Sequence, residues 1–391
     1  MSMLKKVGWR FVTLSLVQLL NLSFPIVLYF LLLQRIEISK IGEIMSWQMV
    51  FAILASLSNY SFPIRLIPYV EKLHKKYVVE AYWNKLVQVR FVFFICIGML
   101  TLLLAFVLPK IALFSFMVLV GKLISPSLFL PLLSKNKLLL FNNFLSRLIA
   151  VVVVFFMIST SNYFWTNFII GTSELVVSIL VLRYLGWDLN FKLSKFSLLI
   201  KFFKQDVNLF LIQFTNAVIV MITIPLTHLF FGAHIAGVIS IIDKMIMVIR
   251  NATGNLFFSV LPETFETKQI RSVIGVTVSK FKILTIIIFA STIVCLFLFR
   301  ELLSEKFINQ NISYYLALAS FSIIPIIMST PYQIMSFRLK KYASIFSISK
   351  TQLVVLVVSL LCFGSFLDVY GIILSILLHE SICFYLYRKM G

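Results

Sequence analysis

Along the chain, long apolar runs alternate with short polar connections rich in lysine and arginine. A helix that crosses a bilayer needs about 20 mostly apolar residues, because it rises about 1.5 Å per residue through a hydrocarbon core of about 30 Å. Runs of that kind fall at residues 11–33, 44–69, 90–108, 112–133, 140–160, 164–185, 207–230, 236–262, 282–300, 312–334, 345–366 and 370–387. No connection is long enough to fold as a separate domain. The pattern predicts an all-α integral membrane protein of about twelve transmembrane helices with almost no soluble part.

Three connections are longer than the rest: 71–89, 186–206 and 263–281. The middle one contains Lys192, Lys195, Lys201 and Lys204 interleaved with leucine, isoleucine and phenylalanine at helical spacing. That is the pattern of a helix lying on an anionic leaflet, which makes anionic lipids expected partners. It falls at the chain midpoint. The predicted organisation is therefore an N-terminal lobe at 1–185 with helices one to six, a cytoplasmic amphipathic linker at 186–206, and a C-terminal lobe at 207–391 with helices seven to twelve.

Composition agrees. Apolar residues make up 61% of the chain and charged residues 13%, whereas a soluble domain is about half apolar and about a quarter charged. The net charge of +21 does not imply nucleic acid, because the basic residues sit in short runs between apolar stretches and form no soluble face. Basic residues placed so mark the cytoplasmic side of a membrane protein. With the N-terminus inside, the cytoplasmic segments hold 26 basic residues and the outside segments five, namely Arg35, Lys40, Lys110, Arg300 and Lys306. The inside tally includes Arg90 and Arg147. An alternating bias of that size predicts both termini in the cytoplasm. Lys5, Lys6 and Arg10 before an apolar run resemble a signal peptide, but the run continues to about Leu33, too long for a cleavable core, and reads as a retained first span.

The four cysteines (Cys96, Cys295, Cys362, Cys383) lie inside apolar stretches without metal or disulfide spacing, and the four histidines have no ligand spacing. No metal or organic cofactor is expected. The excess of phenylalanine, 40 residues, reads as lipid-facing bulk.

The two halves resemble each other. Leu16-Val-Gln18-Leu-Leu-Asn21 in helix one matches Leu211-Ile-Gln213-Phe-Thr-Asn216 in helix seven, and Gly42 matches Gly237 at the same offset of 195 residues. Pro68 and Pro262 close helices two and eight at nearly that offset. Ser125-Pro126 in helix four corresponds to Thr330-Pro331 in helix ten, and Glu174 in helix six to Glu380 in helix twelve. Six helices return the chain to the side it started from, so the repeats are parallel. Such an arrangement suits two lobes rocking about a central site.

A charge in the middle of a spanning helix costs at least about 2.5–3.5 kcal/mol, so such residues are functional candidates. Helix eight carries Asp243, Lys244 and Arg250, followed by Asn251 and Asn255. Asp243 and Arg250 are seven residues apart, on one face and roughly 10 Å apart along the axis. One reading is a cationic cavity wall that holds an anion, with Asp243 as counter-ion or proton site. The other is structural, with Asp243 neutralising a basic neighbour and the asparagines bridging helices. Lys122 lies near the middle of helix four, too deep for easy snorkelling, and reads as cavity-facing. Arg65 either faces the cavity or snorkels to the cytoplasmic interface. Glu174 and the His379-Glu380 pair either relay H⁺ or Na⁺ or pair with basic neighbours. Gln18, Asn21, Gln213 and Asn216 form a polar stripe on helices one and seven, for helix-to-helix hydrogen bonds or for lining a cavity.

No G-x-x-x-x-G-K-S/T loop is present, since Gly121-Lys122 lacks the upstream glycine and is followed by Leu123. No HExxH, GxSxG or DxD pattern occurs, and the outside segments are too short for a catalytic domain. A transporter is expected, not an enzyme.

Some of these stretches resemble the O-antigen flippases (Wzx-type), the polysaccharide-export branch of the superfamily that also holds the multidrug and toxin extrusion transporters. The resembling residues are Gln18-Leu-Leu-Asn21-Leu-Ser-Phe-Pro-Ile-Val-Leu-Tyr29, the Ile41-Gly42 step, and Ala236-Gly237 through Asp243-Lys244 to Val260-Leu-Pro262-Glu263. The family's usual glycine after the first segment is replaced by Arg35-Ile-Glu37. The resemblance implies a V-shaped pair of six-helix lobes in the bacterial inner membrane. Its substrate would be an undecaprenyl-pyrophosphate-linked oligosaccharide, an O-antigen repeat unit for lipopolysaccharide biosynthesis, moved from the cytoplasmic to the periplasmic leaflet. A polysaccharide polymerase and a chain-length regulator would be partners. A pyrophosphate suits cationic side chains, and Lys244, Arg250, Lys122 and Arg65 are the binding candidates. Asp243, Glu174, Glu380 and His379 are candidates for a coupling H⁺ or Na⁺. The alternatives are a cation-coupled multidrug exporter and a membrane-embedded polymerase or acyltransferase.

Overall fold

A computed structural model describes residues 24, 27–28, 31–60, 62, 76–130, 135–187, 207–244, 246–247, 250, 312–339 and 341–390. Gln18, Asn21, Arg65, Asn251, Asn255, the amphipathic segment 192–204 and the span expected at 282–300 lie outside the described residues. Among the described residues the regular structure is helical throughout. Among the described residues six helices are long and apolar enough to cross a membrane, or seven if a bent pair is one span. Large apolar side chains such as Phe106, Phe156 and Phe366 lie on the outside, as a protein solvated by lipid requires.

Packing divides the chain into two units. The described helices of the first, which ends at His228, are α1 (Ile38–Ser58), α2 (Lys76–Leu103), α3 (Lys110–Ile124), α4 (Asn136–Met157), α5 (Thr166–Leu185), α6 (Val207–Met221) and most of α7 (Thr223–Phe231). The second holds α8 (residues 233–244, with 246–247 and 250 also helical), α9 (Ile312–Ser320), α10 (Ile323–Arg338) and α11 (Tyr342–Met390). The helix that opens the expected C-terminal lobe, α6, packs on α1 of the first unit.

Three local departures from the expected spans have visible causes. Helix α2 begins at Lys76, well before the span expected at residue 90, so Arg90 lies inside a spanning helix and not in a cytoplasmic connection. Arg147 likewise sits mid-way along α4. The tally of inside charges loses both residues, and its bias persists. The span expected at 207–230 is bent by 50° between α6 and α7, where Pro225 has no N–H to donate to Met221. The spans expected at 345–366 and 370–387 run together as α11, which breaks at Asp368 (φ 48°, ψ −124°). Gly371 there abuts the backbone of Phe363 and Gly364. A straight helix would put those atoms about 10 Å away, so the chain reverses at this point.

Within each unit, segments expected on one side of the membrane touch each other. In the first, Arg35 donates to Phe155 O and, at 3.2 Å, to Ile158 O, and Lys40 donates to Thr160 O at 3.4 Å. Both connections are expected outside. In the second, Lys341 donates to Met390 O at 3.0 Å, joining two segments expected inside.

Candidate functional site: two buried charge clusters

The first cluster is built by a broken helix. A residue before proline disfavours the α conformation, and Ser125 is extended (φ −61°, ψ 125°), ending α3 at Ile124 before a 3₁₀ turn at Pro126–Leu128. The break strands the last carbonyls of α3 inside the protein. Arg90 of α2, only 3% exposed, satisfies them: Nη1 donates to Leu123 O at 2.8 Å and to Ser125 O at 2.9 Å. Its Nε and Nη2 donate to Asn59 Oδ1 at 3.2 and 2.8 Å. A cation at a helix C-terminus also opposes the negative end of the helix dipole.

Lys122 lies two residues before this end, not in mid-helix as its place in the apolar run suggests. Its Nζ is 2.8 Å from Glu174 Oε1 on α5. Two glycines make that distance possible. A Cβ on Gly121 would stand 2.6 Å from Gly171 O, and a Cβ on Gly171 would overlap the backbone of Met117. Close approach through small residues is how membrane helices gain packing contact without a hydrophobic drive. One turn before Gly171, buried Asn167 ties the same helices to α1, its Nδ2 donating to Ser115 Oγ at 2.7 Å and Ile44 O at 2.8 Å.

Arg147 of α4 places its guanidinium 4.8 Å from the ring centre of Phe24, within cation–π range. Arg90 and Arg147 both feel the charge of Glu174. Glu174 thus pairs with Lys122 and acts electrostatically on two arginines of the same unit. Hydropathy reading assigned Arg90 and Arg147 to connections. The detectable signal was an arginine whose apolar neighbours continue on both sides, as in Val87-Gln88-Val89-Arg90-Phe91-Val92.

The second cluster joins α8 to α11. Arg250 donates to Glu380 Oε1 through Nη2 at 2.7 Å and Nε at 3.0 Å, and its Nη1 lies 4.0 Å from Asp243 Oδ1. His379 Nε2 stands 3.4 Å from the same Glu380 oxygen. Asp243, His379 and Glu380 are buried and Lys244 is half-buried. Asp243 and Arg250 do share a face, as their spacing indicates. Each of the two acids, Glu174 and Glu380, is matched with a cation on another helix. On α6, Gln213 is half-buried with its Oε1 enclosed, and Asn216 is exposed. Among the described residues no group of three His, Cys, Asp or Glu side chains could hold a metal ion.

No family model matches the chain, and no curated protein matches it. Solved structures do, along nearly its whole length. The eukaryotic MATE transporter AtDTX14 superimposes with a TM-score of 0.67 at 14% identity, over 99% of this chain and 95% of that one. A mutant of the Vibrio cholerae MATE transporter VcmN gives 0.65 at 13% identity, over 100% and 97%. The inward-facing conformation of a multidrug resistance MATE family transporter of the MOP superfamily gives 0.69 at 12% identity, over 96% and 97%. The chain has the MATE transporter fold. This is a multi-pass membrane architecture, in agreement with the apolar helices, and the three structures named are of transporters. The charge clusters of this chain are thus features of a MATE fold.

Proposed function

We propose that the protein is a flippase that moves an undecaprenyl-pyrophosphate-linked oligosaccharide from the cytoplasmic to the periplasmic leaflet by ion-coupled alternating access. It would act in the bacterial inner membrane with both termini cytoplasmic. The observation that carries this reading is the surplus of positive charge inside the first unit, where buried Arg90 and the half-buried Lys122 and Arg147 share the single carboxylate of Glu174, which pairs with Lys122. Part of that charge is structural, since Arg90 caps α3. Lys122 and Arg147 are the side chains in this unit best suited to an anionic substrate, with Lys244, Arg250 and Arg65 as further candidates. A pyrophosphate carries several acceptor oxygens and rewards multiple charge-assisted hydrogen bonds. Anionic lipids, a polysaccharide polymerase and a chain-length regulator are the partners this reading expects.

A second reading is supported by a different observation. In the second unit Asp243 and Glu380 oppose Arg250 and the half-buried Lys244, and a site with paired acids suits an exported organic cation. Reconstitution separates the two. Purified protein in proteoliposomes is given a fluorescent undecaprenyl-pyrophosphate oligosaccharide or a lipophilic cationic dye. The flippase reading expects movement of the first, falling at least about tenfold, equivalent to about 1.4 kcal/mol, in Lys122→Ala, Arg147→Ala, Lys244→Ala and Arg250→Ala. Dye export without lipid movement would favour the exporter.

A further inference from the structure

The two halves of α11, residues 342–367 and 369–390, run back beside each other after the reversal at Asp368. Three contacts hold them together along their length. Gly371 abuts Phe363 and Gly364 beside the reversal, Tyr387 shares a side-chain hydrogen bond with Ser349, and Lys341 donates to Met390 O at 3.0 Å. Tyr387 and Ser349 are buried and mark the seam between the halves. Lys350 and Arg388 each follow one member of that pair, and both are exposed. A step of one residue turns an α-helix by about 100°. Seen from one end, a forward step turns one half of an antiparallel pair clockwise and the other anticlockwise. Starting from a facing pair, these opposite turns lead to the same side. Lys350 and Arg388 therefore flank one side of the seam, on helix axes about 8–10 Å apart.

The charges around this place are unbalanced. The carboxylates of α11 are Asp368, at the opposite end of both halves, and Glu380, which is buried and held by Arg250. No ion pair among the described residues includes Lys350 or Arg388. Lys341 and Lys389 are exposed at the same end. A carboxylate just after Met390 would cancel only one of these four charges. Arg338, at the end of α10, makes an interaction of its own and is left out of the sum. Basic residues at helix ends mark a cytoplasmic side in general. Lys350 goes further, because the apolar run begins at residue 345, which puts its backbone about 7 Å inside the hydrocarbon segment. Ser347, Thr351 and Val354 are exposed around it. A lysine on a lipid-facing surface at that depth reaches toward a phosphate or water at the interface.

We propose that Lys350 and Arg388 bind the phosphate headgroup of an anionic phospholipid in the leaflet at this end of the molecule, expected to be the cytoplasmic one. The phosphate sits between the two side chains, where the guanidinium offers paired donors and the ammonium a point charge. Lys341 and Lys389 add to the positive field, as basic pockets between membrane helices do for lipid headgroups. The acyl chains follow the exposed apolar positions Val354 and Val358. That apolar strip beneath the cations selects a lipid over a free anion. The site does not rest on what the protein transports and holds for flippase and exporter alike.

Native mass spectrometry of the full protein, titrated in detergent with phosphatidylglycerol or with phosphatidylcholine of the same chains, tests the site. Wild type should prefer phosphatidylglycerol, and the double variant Lys350→Gln/Arg388→Gln should bind it about tenfold more weakly. Lys135→Gln/Lys137→Gln removes the same charge from exposed positions at the start of α4 and should leave that affinity within about twofold. Equal losses in the two double variants reveal a general basic surface and overturn the site. So does a wild type without preference for the anionic lipid. Inorganic phosphate in large excess should leave lipid binding unchanged; displacement by phosphate identifies a free-anion site and overturns the lipid assignment. A photoactivatable phosphatidylglycerol on wild type needs no variant to fold. It should label residues 343–354 and 381–390, and labelling confined to other segments overturns the proposal.

Discussion

Lys122 Nζ lies 2.8 Å from Glu174 Oε1 across the point where Gly121 and Gly171 bring α3 and α5 together. The lysine side chain is 41% exposed and the glutamate 14%. Removing one partner of a fully buried pair costs about 3–5 kcal/mol, and the exposure of the lysine reduces this to about 1–3 kcal/mol. Lys122→Gln and Glu174→Gln should each lower stability by that amount. The double variant should cost less than the sum, because neither change then leaves an isolated charge. Reversible denaturation in mixed micelles checks it, and strict additivity would show that the pair contributes nothing.

The glycine contact supports its own prediction. Any side chain at Gly171 meets the backbone of Met117, which has no flexible end to move aside. Gly171→Ala should destabilise by about 1–3 kcal/mol and loosen the Lys122–Glu174 pair with it. Gly186, with φ 64° and open space around it, caps α5 and is a control in the same helix: alanine there should cost about 1–2 kcal/mol from backbone strain and leave the Lys122–Glu174 pair intact. A thermal-shift series in detergent distinguishes the two.

Arg90 is expected to resist conservative replacement. Its four hydrogen bonds run to Asn59 Oδ1, Leu123 O and Ser125 O, a geometry that uses the guanidinium fork. A lysine is a point charge on a flexible stem and reaches fewer of these acceptors. Arg90→Met should cost about 2–4 kcal/mol, and Arg90→Lys should recover less than half of it. Equal stability of Arg90→Lys and wild type would remove the capping role.

The orientation in the membrane is open to a labelling test. Thr160 and Lys341 are both exposed at helix ends, on segments expected outside and inside. In a background without native cysteines, Thr160→Cys in intact spheroplasts should react with an impermeant maleimide, and Lys341→Cys should react only after the membrane is opened. The reverse pattern would invert the topology and the direction of the proposed translocation.

Much of the fold was legible in the sequence because membrane insertion acts on local properties. A run of apolar residues and the basic residues at its ends declare a span whatever the rest of the chain does. The runs at 44–69, 140–160, 164–185 and 312–334 each contain or overlap a described helix. The candidate charges Lys122, Glu174, Asp243, Arg250, His379 and Glu380 were visible for the same reason, since each interrupts a run that the bilayer would otherwise leave apolar.

Which charge meets which was a tertiary decision. Glu174 and Glu380 occupy matching positions in the repeat expected from the sequence, yet one pairs with Lys122 on α3 and the other with Arg250 on α8. Sequence spacing is silent about neighbours on other helices. Arg90 and Arg147 show the limit most plainly. An arginine near the edge of an apolar run satisfies a hydropathy rule equally well as a membrane-surface anchor or as a buried cap. Only the broken end of α3, with its unpaired carbonyls lying beside α2, makes Arg90 the second of these. The amino-acid sequence by itself determined that this chain lives in a bilayer and carries charge there, because transfer to lipid is a property of each segment alone. The tertiary structure decided how that charge is neutralised, because Coulomb and hydrogen-bond energies depend on distances between segments far apart in the chain.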